Sequence, residues 1–281
     1  MKRFLILLAV VVLSSSQDWD YRKAGRDWNN TQCLTGTQAP LKFSLADTKP
    51  LDKKYYFFPT TNKNVKAKLQ HEKNGNHLVL NFTEMGSVLG QANYQDYWGE
   101  HTQNCTAIFF KIPGEHIFEN ERGDMELQLN CSKFEQAILA STFISIPIKA
   151  TDDEKEQSIF FNSLQKIVDE KIDETKLLIE ISVDTFGDLM DGFSVFDGAY
   201  IYDAQLNFPP CDVSVNYVYI HRFLKISKTL LEQLKVCRKG DRIDQITGNA
   251  RQASEDIPFF GIGVFQPLVD FYKNLLLINS I

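Results

Sequence analysis

Residues that build metal sites are scarce in this chain. Among 281 residues there are five histidines, His71, His77, His101, His116 and His221. No two of them stand at the i, i+2 or i, i+4 spacing that converges on a metal from one strand or helix. His101 with Cys105 is the one short His/Cys combination, too little for the usual zinc-ligand patterns. Long apolar runs are scarce as well. The run over residues 4–13 is too short to span a bilayer comfortably. The apolar stretch over 259–281 is broken by Gly261, Gly263, Pro267, Asp270 and Lys273. Asp270 and Lys273 would be costly in lipid, so a docked tail is favoured over a GPI signal, and no transmembrane span is expected. No Lys/Arg stripe is present and the net charge is −6, which argues against a nucleic-acid partner. No internal repeat is visible.

What the chain has is apolar and aromatic mass. An apolar fraction of 43% and 21 phenylalanines are enough for a sizeable core and exclude a disordered chain. Lys2 and Arg3 precede the apolar run, and Ser14, Ser15 and Ser16 follow it. That three-part pattern predicts a signal peptide over residues 1–16 and entry into the secretory pathway, with an extracellular, cell-surface or vesicular destination. Residues 17–258 then form one domain and 259–281 a tail. The secretory route permits disulfides among Cys33, Cys105, Cys131, Cys211 and Cys237, an odd number that leaves one thiol over. Asn29, Asn81, Asn104 and Asn130 each open an Asn-x-Ser/Thr sequon, a candidate glycosylation site in a secreted chain. Asn104 and Asn130 lie in strand-like segments, which counts against their use.

Short apolar segments alternating with turn signals predict a mainly β domain. Residues 65–72 and 77–82 flank Asn74-Gly75, a hairpin signal. Residues 106–112, 143–148 and 177–183 read as strands. So does 124–131, with Met125, Leu127 and Leu129 on one face and Glu126, Gln128 and Asn130 on the other. Phe160, Leu164, Ile167, Val168 and Ile172 recur at helical spacing behind Thr151-Asp152-Asp153, which can cap the helix. Residues 227–236 read as a second short helix.

Four ordered blocks resemble the α-carbonic anhydrase family. The first runs from Trp19-Asp20-Tyr21 through Trp28 to Cys33-Leu-Thr-Gly36-Thr-Gln38-Ala-Pro40. The second is Ile108-Phe109-Phe110-Lys111-Ile112-Pro113-Gly114-Glu115-His116, similar to the family's H-F-H-x-P-S-E-H. The third, Glu126-Leu-Gln128-Leu-Asn-Cys131, is similar to E-L-H-L-V-H, and the fourth, Leu206-Asn207-Phe208-Pro209-Pro210-Cys211, to L-T-T-P-P-C. The resemblance implies a single mainly β domain with short helices, built on a large twisted, mostly antiparallel sheet. It also implies a cone-shaped cavity with zinc at its base, held by three histidines, the arrangement the general rule for catalytic zinc takes from carbonic anhydrase itself.

Matched by position, the three ligands here are Phe109, Lys111 and Gln128. Phenylalanine has no lone pair to donate, lysine is cationic, and glutamine offers only a hard carbonyl oxygen. No cofactor is therefore expected, and the replaced ligand positions point to a binding or structural member without CO2 hydration. The alternative is an active carbonic anhydrase holding zinc in an unusual arrangement. Glu115 matches the glutamate that orients a threonine over the metal, and Asn207 stands at that threonine. His116 matches the structural histidine beside it. Asn76 stands at the proton-shuttle position; His77 is one residue off and should face the other side of its strand as a surface histidine. The resemblance also pairs Cys33 with Cys211, a bridge worth on the order of 4–5 kcal/mol in the chain-entropy model. Cys105 and Cys131 fall on strands expected to be neighbours, where a bridge and two buried thiols fit equally, leaving Cys237 as the odd one. A buried Lys111 needs an anionic partner, and Glu115 is the nearest. Either that ammonium takes over part of zinc's electrostatic role, or Phe109 fills the space as ordinary core. An unknown protein or a small anion drawn to Lys111 are the partners this leaves.

Overall fold

The computed structural model describes residues 38–59, 64–71, 77–82, 88–96, 99–132, 141–169, 178–182, 199–209, 211, 214–237 and 261–267. Ahead of them it describes Tyr21, Lys23, Gly25, Arg26, Trp28 and Cys33. The strands in chain order are β1 (Lys42–Phe43), β2 (Lys49–Pro59), β3 (Asn64–His71), β4 (Leu78–Asn81), β5 (Gly90–Asp96), β6 (Gly99–Lys111), β7 (Ile117–Phe118) and β8 (Glu121–Arg122). They continue with β9 (Met125–Ser132), β10 (Thr142–Thr151), β11 (Leu178–Ser182), β12 (Ala199–Gln205), β13 (Ser214–Ile220), β14 (Leu224–Ser227) and β15 (Gly261–Pro267). Two α-helices are described, α1 (Ile159–Asp169) and α2 (Lys228–Cys237). Twelve strands form one sheet in the order β11-β3-β4-β6-β5-β2-β15-β12-β13-β10-β14, with β9 hydrogen-bonded to both β6 and β10. Most pairs are antiparallel; β10 runs parallel to β13 and β14, and β15 parallel to β2. The expected fold is present: a mainly β domain on one large sheet.

Alternation on the strands gives the sheet two interiors. Met125, Leu127 and Leu129 of β9 and Ile144, Ile146 and Ile148 of β10 face one side. Phe160, Phe161 and Leu164 of α1 and Leu230, Leu231 and Leu234 of α2 cover them. Each such side chain gains about 1.5–3 kcal/mol from leaving water. The opposite side carries Phe109, Phe143, Tyr202 and Tyr217, covered by Tyr21 and Trp28 from the N-terminal segment and Phe208 from the loop after β12. A bulge at Thr106 interrupts the β6–β9 register between Cys105 and Ala107. One extra residue swaps the faces. Cys105 therefore lies with the aliphatic cluster, while Phe109 and Lys111 point into the aromatic side.

The predicted hairpin is found as β3 and β4. The Thr151-Asp152-Asp153 cap serves a different turn: Asp153 accepts from the Lys155 amide at 2.9 Å and closes a single 3-10 turn, Glu154–Glu156. Helix α1 starts after Ser158, whose carbonyl accepts from Phe161 N. In the stretch read as a tail, Gly261–Pro267 is a strand of the sheet, between β2 and β12. Asn29 and Asn76 lie outside the described residues.

Candidate functional site

Phe109 and Lys111 sit two apart on β6 and so share a face, and Gln128 is the register partner of Phe109 on β9. The three positions matched to zinc ligands are thus side by side on the aromatic face. The turn after β6 brings Glu115 and His116 back over it. That turn is pinned to the start of β9, where Gly114 N donates to Gly123 O at 3.0 Å. A Cβ on Gly123 would lie 2.6 Å from the Met125 carbonyl oxygen, so this close approach requires glycine.

Lys111 is fully buried, at 0% exposure. Its ammonium donates to Tyr21 Oη at 2.9 Å and to His77 Nε2 at 2.9 Å, and it pairs with Glu115 Oε1 at 3.2 Å. An ammonium has three N–H donors and no acceptor. These partners come from the N-terminal segment, the approach to β4 and the turn after β6. Because Lys111 can only donate, His77 Nε2 faces it as a lone pair, and the imidazole proton belongs on Nδ1. Tyr21 Oη lies 2.8 Å from the same nitrogen. The rings of Tyr21 and Phe208 flank the charge, with centroids 5.2 and 5.5 Å from Nζ.

A second hydrogen-bonded cluster, centred on Glu126, lies alongside. Glu126 Oε2 accepts from the backbone amides of Glu115 and His116 at 2.9 Å each. Its Oε1 accepts from His116 Nδ1 at 2.8 Å and Gln128 Nε2 at 2.7 Å. Burial alone would raise the Glu126 pKa; the charge and hydrogen bonds of His116, with that of Gln128, more than reverse it and bring it down to about 2. His116 Nε2 meets Tyr202 Oη at 2.5 Å. Burial first, then the nearby Tyr217, Glu126 and Glu115, push the Tyr202 phenol well above its ordinary value.

Gln128 and Asn207 join the two groups. Gln128 Nε2 also reaches Glu115 Oε2 at 3.2 Å, and its Oε1 accepts from Asn207 Nδ2 at 3.0 Å. Asn207 Nδ2 donates to Glu115 Oε2 as well. Lys111 and Glu115 therefore hold each other, with Tyr21 and His77 accepting from the ammonium and Gln128 and Asn207 donating to the carboxylate, the condition for a tolerable buried ion pair.

Phe109 is 8% exposed and packs against the rings of His77, Phe143 and Phe208, with centroids 5.5, 6.1 and 5.7 Å away. At the floor Lys111 pairs with Glu115, and Phe109 packs beside that pair as part of the aromatic core. The donor set does not fit zinc. Phe109 has no donor atom, the Lys111 ammonium has no lone pair, and Gln128 turns its oxygen to Asn207. Among the described residues no group of three or more His, Cys, Asp or Glu is placed to hold a metal.

His77 differs from its expectation as a surface residue. It is fully buried and points into the cluster. It precedes the first residue of β4, Leu78, so strand alternation does not govern its direction. Sequence reasoning assigned no role to Tyr21, Tyr202 or Glu126. Tyr21 lay in a matched block, and Glu126 shared the polar face of β9 with Gln128. Cys33 and Cys211 are bridged, with Cα atoms 5.0 Å apart, tying the N-terminal segment to the loop that carries Asn207 and Phe208. Cys105 and Cys131, register partners across β6 and β9, are also bridged. That removes the His101/Cys105 pair as a metal-binding combination, since Cys105 has no thiolate to offer. Cys237 is outside both bridges. Asn81, Asn104 and Asn130 are each half-buried on strands.

No curated protein sequence matches this chain. Solved structures do match in fold. The α-carbonic anhydrase of Aspergillus oryzae is 18% identical with a TM-score of 0.61, over 82% of this chain and 87% of that one. A halotolerant carbonic anhydrase from Dunaliella salina is 13% identical with a TM-score of 0.66, over 86% and 96%. Dioscorin, solved in complex with ascorbate, is 15% identical with a TM-score of 0.63, over 87% and 98%. The family model for eukaryotic-type carbonic anhydrases matches residues 23–256, most of the length, and the chain belongs to that family.

Proposed function

We propose that this chain is a family member that does not hydrate CO2 and acts through its surface, as a secreted binding or structural protein. The observation that carries this reading is the buried Lys111 ammonium, bonded to Tyr21, His77 and Glu115 at the floor of the site. A cation tethered there neutralises Glu115, a buried carboxylate that would otherwise be uncompensated without a metal. The rings of Tyr21 and Phe208 flank it. Two disulfides support the secretory reading, and among the described residues no helix is long and apolar enough to cross a membrane.

Dioscorin shows that this fold can be found with a small organic anion. Here an anion would have to displace protein acceptors from Lys111, so a protein partner is the better reading of the two. The ligand register is tested by substituting Phe109→His, Lys111→His and Gln128→His together. The folded triple variant is expected to take up stoichiometric zinc. A folded variant without zinc would refute the assignment of these positions.

A further inference from the structure

Two of the four sequons share a peculiarity. Asn104-Cys105-Thr106 and Asn130-Cys131-Ser132 each hold, as their middle residue, one half of the same disulfide. Asn130 is the more enclosed. Its strand is paired on both sides, with Asn130 opposite Ala107 on β6 and Phe143 on β10. Its Oδ1 is buried, and Ser132, whose hydroxyl completes the sequon, is 7% exposed. Thr106 is likewise buried at 9%, and Asn104 Oδ1 accepts from Gln91 Nε2 at 3.1 Å.

We propose that Asn130 is a conditional N-glycosylation site, open while Cys131 is a thiol and closed by the Cys105–Cys131 bridge. The proposal rests on the secretory reading above. In the transfer, Asn130 Nδ2 loses a proton and bonds to C1 of an oligosaccharide. The bond from that carbon to a lipid-pyrophosphate carrier breaks, and the pyrophosphate leaves. The step needs an extended, accessible chain with the Ser132 hydroxyl free. In the competing step the two thiols lose two protons and two electrons to the disulfide of an exchange catalyst. That bond fixes Cys105 opposite Cys131 and draws Asn130 between its two strand neighbours. Synthesis runs from the N-terminus, so Cys105 is already present when Cys131 emerges. Asn104 emerges 27 residues ahead of Cys131 and escapes this competition. A glycan on Asn130 would have to leave from the face of the sheet that carries Gln128, where the Asn130 Oδ1 is buried in the native pairing.

The test is to translate the full chain behind a heterologous secretion leader into microsomes and map site occupancy by mass spectrometry after glycan release in heavy-oxygen water. Total product is analysed, so misfolded molecules count. Asn130 is expected to be unmodified in the oxidised wild type. It should become occupied several-fold more often in C105S/C131S, and in the wild type under a thiol reductant, but not in C33S/C211S. A glycan on Asn130 in molecules that hold the bridge would overturn the proposal. Equal occupancy with and without the bridge, including none in either, would do so too. Translation with the chain's own N-terminus, scored by protease protection, tests the secretory reading separately.

Discussion

The two faces of the sheet are built on different terms. Under α1 and α2 the interior is aliphatic, and each residue is stabilised by area alone. On the opposite face the same strands carry Lys111, Glu126 and Gln128 among aromatic rings, and stability there depends on complete pairing. The difference is one of tolerance. An aliphatic face accepts a change of shape at the cost of the lost contacts, whereas a charged face fails when one member goes, because its partner is left buried and unpaired.

Each face has its own disulfide, which sharpens the contrast. Cys33–Cys211 spans 178 residues and staples the aromatic side, while Cys105–Cys131 spans 26 and lies in the aliphatic cluster. Loop-closure entropy gives the first about 4–5 kcal/mol and the second about 3–4 kcal/mol. Denaturant titration of C33S/C211S and C105S/C131S should show that order. A larger loss from the shorter bridge would mean that packing rather than chain entropy decides.

The next effect belongs to the ion pair. Lys111→Met alone should cost about 3–5 kcal/mol, because Glu115 is stranded. Adding Glu115→Gln should recover most of that loss. Additive single effects in the double-mutant cycle would contradict the pairing.

A somewhat smaller effect should follow pH. The folded pKa of Glu126 is depressed from 4.5 to about 2. Its contribution, about 3 kcal/mol, is therefore complete above the unfolded value and lost as pH falls from about 4.5 through 2. Unfolding midpoints measured from pH 6 to 2 should show this slope in the wild type and a flatter one in Glu126→Gln. The smallest effect is expected at the surface. Lys228 and Asp152 are only 2.7 Å apart, closer than Lys111 and Glu115, but are 59% and 83% exposed. Asp152→Ala should shift stability by no more than about 0.5 kcal/mol.

The same contrast decides what could be read from sequence. Period-two patterning gave away β9, because Met125, Leu127 and Leu129 alternate with Glu126, Gln128 and Asn130. β2 opens Lys-Pro-Leu-Asp-Lys-Lys, and nothing in that composition resembles a strand. The bulge at Thr106 was invisible, since Ala107, Ile108, Phe109 and Phe110 are apolar on both faces and hide the change of phase. In the site, Lys111 with Glu115 was legible because a buried ammonium demands an anion nearby. Tyr21 and His77 were not, because they reach Lys111 from segments 90 and 34 residues away. Local periodicity carries no information about such long-range convergence.

The central claim is that Lys111 and its three acceptors stand where the family's metal chemistry would be. The most direct test is elemental analysis for zinc, together with a CO2 hydration assay, on the purified natural protein supplied with zinc. The protein should hold no stoichiometric zinc and hydrate CO2 at the background rate. One zinc per chain with hydration above background would contradict it.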